Sequence, residues 1–294
     1  SDVCSSDLYI TSSILVLLDW RSNVLFLLYV NDLPESVVST AKLFADDTKL
    51  YRTIENVDDC AQLQSDLNAL AAWSRTWLLK FNEQKCVVLR IHASIEYMYT
   101  LNGHPLQQVS QQKDLGVIIS DNLKPSNHVA QIASKGMQRL GMIRRCFSNL
   151  TEPKLKTLYT SMVRPILEYA SITWNPWMQK DIQALVKVQR RCEKMCVSGN
   201  LHLESLSLRR QRSDLTETYK YMNYRYKTDP STIFSIPNRE LRGHSQKLFK
   251  PRARTEIAKN FFTHRVIDNW NALPQDTIAA PTVKTFQNRL RALP

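Results

Sequence analysis

From Val24 onward the spacing of apolar and polar positions names a series of elements. Leu25–Val30 is an apolar stretch that stops at Asn31-Asp32-Leu33-Pro34, the end of a helix. Ala41–Ala45 reads as a short strand, Asp46-Asp47 as its turn and Thr48–Tyr51 as the returning strand. Asp58 and Asp59 can cap a helix that carries Leu63, Leu67, Leu70, Trp73 and Trp77 on one stripe. A further strand is expected over Cys86–Ile91. Asn102-Gly103 is a hairpin signal between Tyr97–Leu101 and Leu106–Val109, and Lys113–Ser120 closes the series with an apolar strand from Leu115 to Ile119. Strands, a helix and hairpins with few crossovers predict an α+β layer.

After Pro125 the period becomes helical. Val129, Ile132, Ala133, Met137, Leu140, Ile143 and Phe147 recur at steps of three or four. A second helix is expected from Thr151-Glu152-Pro153, burying Leu155, Leu158, Tyr159, Met162 and Ile166, with Pro165 kinking or ending it. A third starts at Asp181, with Ile182, Leu185, Val186 and Gln189 inside and a basic stripe of Lys187, Arg190, Arg191 and Lys194 outside. Beyond Pro230 the helical period weakens while basic residues stay dense. The pattern divides the chain into residues 24–124, 125–228 and 229–294.

The first 23 residues are set apart. Ser1–Leu8 resembles the in-frame translation of a DNA sequencing adapter, 9–23 show no clear pattern, and residues 1–23 are excluded from the fold reading. The apolar runs Ile14–Leu18 and Val24–Val30 are too short to span a membrane, so no membrane partner is expected.

Composition sharpens the division. Only 6 glycines in 294 residues argue against Gly-rich nucleotide loops and favour helices. Residues 1–124 carry 10 Lys+Arg against 15 Asp+Glu, a net of −5, whereas 125–294 carry 29 against 12, a net of +17. A basic segment of that size points to a polyanion, because neutralising phosphates releases counterions. Arg144-Arg145, Arg190-Arg191 and Arg209-Arg210, with Lys187 and Lys194, are the candidate phosphate contacts. The 6 cysteines, Cys4, Cys60, Cys86, Cys146, Cys192 and Cys196, lack disulfide spacing and read as free thiols in a reducing compartment. The 6 histidines show no metal-ligand spacing.

Phe44-Ala45-Asp46-Asp47 is the chemical candidate. Adjacent carboxylates at the tip of a strand–turn–strand can present one oxygen set to a metal while the second helps to position it. Nucleotidyl transfer needs such groups, since two Mg²⁺ ions bridge the incoming phosphates and the primer hydroxyl. On the tetrapeptide alone a plain polar turn is the better reading.

The surrounding text changes that balance. Leu25–Pro34, Leu43–Arg52, Trp73–Trp77, Phe81–Cys86 and Asp114–Val117 stand in order, followed by Val163–Tyr169 with Trp174, and Val188–Arg191. Then come Arg209-Arg210, Asp214-Leu215, Arg242-Gly243-His244 with Lys247-Leu248, Phe261-Phe262 with Arg265, and Trp270–Pro274. This ordered set resembles the reverse transcriptase of jockey- and CR1-like non-LTR (LINE-type) retrotransposons over roughly residues 24–294.

The resemblance implies a partial polymerase palm over 24–124, a helical thumb over 125–228 and a basic C-terminal region over 229–294. It implies that Asp46 and Asp47 are catalytic, metal-binding carboxylates and that Lys85 lies near the incoming triphosphate. Phe44 and Ala45 set the turn against the primer end, and Leu115-Gly116 belong to the primer-grip hairpin. The implied partners are template RNA, primer DNA, deoxynucleoside triphosphates and two Mg²⁺ ions; the implied setting is nucleus and cytoplasm. The chain departs from the family in lacking the earlier Asp-bearing strand and the Pro-Gln-Gly helix start, and Asp19 has the wrong neighbours to substitute. It is therefore expected to be a C-terminal fragment, inactive alone as an RNA-directed DNA polymerase. Two other readings stay open: a non-catalytic nucleic-acid-binding remnant, and an unselected transposon relic.

Overall fold

A computed structural model describes residues 6–13, 22–92, 95–197, 201–237 and 243–293. Cys4, the run Ile14–Leu18, Asp19 and Arg242 lie outside the described residues. The chain forms two compact units, Ser1–Lys124 and Pro125–Pro294.

The first unit is built on a five-stranded sheet in the order β2-β3-β1-β4-β7. Its strands are β1 (Ser6–Ser13), β2 (Thr40–Phe44), β3 (Asp47–Ile54), β4 (Val87–Ile91) and β7 (Gln107–Val109), with β5 (Thr100–Leu101) and β6 (His104–Pro105) forming a small ladder of their own. β1 corrects the expectation for the N-terminus: residues excluded from the fold reading, 6–8 as adapter-like and 9–13 for want of a pattern, form a central strand, antiparallel to β3 and β4. An open slot between two strands leaves both with unpaired amide and carbonyl groups, and any extended segment that reaches it satisfies them.

Helix α1 (Ser22–Tyr29) stops where the sequence places the stop. The long helix α2 (Val57–Thr76) covers the sheet and buries Leu63, Leu67, Leu70 and Trp73 in one core with Leu33, Leu50, Ile54 and Val88. Its cap is Asn56 rather than Asp58 or Asp59. The Asn56 side chain accepts from the Asp59 amide at 3.0 Å, and the Asp59 carboxylate returns the bond to the Asn56 amide at 3.3 Å. Trp77 falls past the helix end and stands edge-on to Tyr29 at the surface of that core.

Two strand expectations are revised. Asn102-Gly103 makes the turn, with φ of 50° and 81°, but each arm is only two residues long and Gln107–Val109 pairs in parallel with β4 instead. The single strand expected at 113–120 is a hairpin, β8 (Gln111–Asp114) and β9 (Val117–Ser120), turning at Leu115-Gly116.

The second unit is helical: α3 (Ser126–Cys146), α4 (Glu152–Leu158), α5 (Arg164–Glu168), α6 (Ser171–Trp174), α7 (Gln179–Glu193) and α8 (Leu206–Met222). The expected helix from 152 is interrupted by a π turn over Tyr159–Val163, where the Arg164 amide reaches back to the Tyr159 carbonyl. Pro165 has no amide proton to continue the ladder, and the widened turn absorbs the lost bond. α3 buries Val129, Ile132, Ala133, Leu140 and Ile143, while Met137 is half-buried and Phe147 is exposed beyond the helix end. On α7 the buried face is Leu185, Val188, Gln189 and Cys192, one position round from the expected one, which leaves Val186 half-exposed.

Short helices follow: α9 (Glu256–Asn260), α10 (Phe262–Arg265), α11 (Ile267–Asn271), α12 (Gln275–Ile278) and α13 (Val283–Ala292). Leu215, Tyr219 and Met222 of α8 share one core with Phe234, Leu248, Trp270, Phe286 and Leu290, so the described residues after 229 pack on α8. Among the described residues no helix is long and apolar enough to cross a membrane.

Candidate functional site

The hairpin that carries Asp46 and Asp47 is as tight as the sequence pattern demands. Phe44 pairs with Asp47, leaving Ala45 and Asp46 as a two-residue loop. Such loops need positive φ, ordinarily supplied by Gly or Asn. Here Ala45 takes it, at φ 53°. A Cβ in this region costs of order 1–2 kcal/mol, and such strain concentrates at functional turns. Asp46 and the Phe44 ring are exposed, whereas Asp47 is half-buried.

Strand alternation sorts β3 into two faces. Thr48 and Leu50 are buried, and Asp47, Lys49 and Tyr51 share the outer face. Lys49 on that face meets Asp114, Nζ to Oδ1 at 2.5 Å. Asp114 ends β8 at the Leu115-Gly116 turn, where both residues have positive φ, 43° and 89°. The second hairpin is thus clasped to the strand that begins with Asp47. Sequence reasoning missed Lys49: its partner is remote in the chain, and only strand alternation hinted that it shares a face with Asp47.

A second residue it missed supports the hairpin from below. Asp66 on α2 is buried, and its carboxylate accepts from the amides of Val38 at 3.0 Å and Ser39 at 2.9 Å. These amides precede β2, so Asp66 fixes where the hairpin strand begins. Lys85 lies at the end of a 3-10 turn (Glu83–Lys85) and is exposed; no hydrogen bond or ion pair joins it to Asp46 or Asp47 among the described residues.

Asp46 and Asp47 offer hard oxygen donors of the kind Mg²⁺ takes one or two at a time alongside phosphate and water. They fit as part of a ligand set. No group of three or more His, Cys, Asp or Glu that could hold a metal exists among the described residues. The position across the ladder from Asp47 is Ser13. Cys192 and Cys196 are buried, and burial pushes the Cys192 thiol up to about 12, which leaves it an inert core residue.

In the second unit the structure brings six of the predicted cations together. Arg144 and Arg145 at the end of α3, with Lys187, Arg190, Arg191 and Lys194 along and just beyond α7, line a groove of about 1200 Å³ between the two helices. All six are exposed. None is in an ion pair among the described residues, and no carboxylate lines the groove.

Arg209 and Arg210 are not part of that surface, which corrects the expectation for them. Arg209 forks onto Glu168, with Nη2 to Oε2 at 2.9 Å, and reaches Glu204 with Nη1 at 3.0 Å. Arg210 is only 3% exposed and donates from Nε to Asn175 Oδ1 at 2.9 Å. Beside it Arg265 grips Asp214 with two bonds of 2.8 and 2.9 Å and donates to the Ile172 carbonyl. Other motif fragments also bind one another. His244 Nε2 donates to the Trp270 carbonyl at 2.9 Å, and Asn271 exchanges bonds with the Leu248 amide and carbonyl.

The chain is similar to two proteins of Drosophila melanogaster. It is 26% identical over 175 residues to the "Probable RNA-directed DNA polymerase from transposon BS", covering 57% of this chain and 19% of the relative. It is 22% identical over 198 residues to the "Probable RNA-directed DNA polymerase from transposon X-element", covering 64% and 22%. The chain therefore spans about a fifth of the length of the curated relatives it matches. No family model and no solved structure matches it. The similarity supports the class of transposon reverse transcriptases.

Proposed function

We propose that this chain is part of a jockey- or CR1-like non-LTR retrotransposon reverse transcriptase, with residues 24–124 as palm and 125–294 as thumb and basic C-terminal region. The observation that carries the reading is the exposed two-residue hairpin tip with its paired carboxylates, in a chain similar to transposon RNA-directed DNA polymerases. Asp46 and Asp47 serve as Mg²⁺ ligands. Bound there, the metal would stabilise the entering and leaving oxygens of nucleotidyl transfer from a deoxynucleoside triphosphate onto a primer. Ala45 fixes the angle at which the carboxylates leave the sheet. Phe44 gives the primer terminus an apolar surface, and the Leu115-Gly116 turn is held beside β3 by Lys49 and Asp114. With two carboxylates and no third ligand among the described residues, the chain alone holds metal weakly and does not extend a primer on RNA.

The test is Mn²⁺ binding by electron paramagnetic resonance, with RNA-templated primer extension in parallel. Weak binding is expected, lost in the double variant Asp46→Asn, Asp47→Asn with the fold unchanged, together with no extension. Mn²⁺ binding indifferent to that double change would sink the assignment of both residues.

A second reading has its own observation, the groove between α3 and α7 lined by six cations. It makes the chain a nucleic-acid binder independent of metal, with salt-sensitive affinity that survives the double Asp change.

A further inference from the structure

The α3–α7 groove has two characters at once. Its rim is basic: like charges stand three and four residues apart on α7, and no carboxylate lines the groove. The last turn of a helix favours a cation or two through its dipole, but not a continuous row. Its floor is apolar: Met137 and Val186 are half-buried, Met195 lies at the end, and Leu140 is beneath. Gly141 removes a side chain from the middle of that floor. A Cβ added there would meet nothing nearer than the Arg145 guanidinium at 3.9 Å, so the space above Gly141 is open.

We propose that this groove holds a single unpaired nucleic-acid strand, its phosphates on the rim and its bases on the floor. This rests on the nucleic-acid-binding reading above and sharpens it. A duplex presents phosphate and sugar outward and keeps its base faces stacked inside, so it can use the rim but not the floor. An unpaired strand offers flat apolar base faces between successive charges, which is what a basic rim over a methionine-rich floor accommodates. The basic row from Lys187 to Lys194 rises about 10 Å, the length of about three stacked nucleotides.

The experiment uses the full chain and fluorescence anisotropy with a labelled 12-mer of uridine, the same length of thymidine, and a blunt DNA duplex, each across a salt series. The single strands are expected to bind at least tenfold tighter than the duplex. Gly141→Leu places an apolar side chain over the floor, where a Cβ meets no close neighbour; it should weaken single-strand binding at least tenfold while leaving duplex binding and the salt slope unchanged. Arg190→Gln with Arg191→Gln should instead flatten the salt slope for every probe, by about 1.4 for single strands. Circular dichroism and thermal melting check that both variants fold. Duplex binding as tight as single-strand binding, or an affinity untouched by Gly141→Leu, overturns the single-strand assignment while leaving the nucleic-acid reading in place. Absence of binding to all three probes overturns both. Binding of an acidic amphipathic peptide in their place would make the groove a protein-docking surface. Uridine against thymidine tells RNA from DNA preference within the proposal.

Discussion

At the scale of single residues, the candidate site depends on charges the motif does not include. Lys49 stands two positions from Asp47 on the same face of β3, and its ammonium is held by Asp114. Both side chains are about a fifth exposed, so the pair is worth no more than about 1 kcal/mol in stability. Its larger effect is on the local field. With Lys49→Met the cation beside Asp47 is gone, and divalent affinity at Asp46 and Asp47 should rise roughly three- to tenfold. With Asp114→Asn the ammonium loses its counter-charge, and affinity should fall by a similar factor. A clasp that only held two hairpins together would move both variants in one direction, so Mn²⁺ titration of the two single variants separates guard from clasp. The carboxylates could be read from the sequence because they are adjacent. Lys49, Asp114 and Asp66 could not, since their roles exist only once remote segments are brought together. Arg209 and Arg210 show the converse: in the sequence they look like Arg190 and Arg191, but Glu168, 41 residues from Arg209, removes one and burial removes the other.

At the scale of elements, helix stripes were legible because their period repeats over many turns, as on α2 and α3. The hairpins were less so. Leu115-Gly116 sits inside an apolar run, and a leucine at positive φ is rare enough that the run reads as one strand. β1 was missed because its start looked foreign and the rest showed no pattern, while a sheet slot asks chiefly for extended backbone. α3 offers a test of how closely packing controls an element, because its two glycines have opposite surroundings. A Cβ at Gly136 would stand 3.0 Å from Val188 Cγ1 and 3.2 Å from Leu167 Cδ2, within the contact of α3 with α7 and α5. At Gly141 it would meet open space. Alanine gains up to about 1 kcal/mol of helix propensity at either site. At Gly141 that gain should appear nearly whole, whereas at Gly136 overpacking of about 1–3 kcal/mol should outweigh it. Thermal denaturation of Gly136→Ala and Gly141→Ala should therefore move in opposite directions. A common direction would mean that α3 and α7 do not approach as described.

At the scale of the molecule, the change from acidic to basic text near residue 124 coincides with the boundary between the two units. The period changes there because one segment buries a sheet and the other a helical core. The second unit also buries neutral histidines, and this fixes its response to acid. His128 on α3 is 2% exposed with its ring 5.0 Å from that of Trp174; burial first, and the Lys135 charge second, push it down to about 4. Burial likewise lowers His244, whose Nδ1 accepts from the Gln246 amide while Nε2 donates to Trp270, an arrangement that requires the neutral ring. Between an ordinary histidine value of about 6.5 and about 4, the unfolded chain binds a proton at His128 that the folded unit refuses. Stability is thus complete above about pH 6.5 and falls as pH drops through that window, by up to about 1.4 kcal/mol per pH unit from this residue alone. Urea midpoints should stay level from pH 8 to 7 and then decline steadily toward pH 4.5. His128→Leu removes the titrating group, so whatever it does to the height of the plateau it should remove much of that decline. An equal decline in the variant would move the acid sensitivity to other groups, His244 among them, whose burial also lowers it; Asp59 and Asp229, held below the ordinary range by hydrogen bonds, lose their contribution only at lower pH.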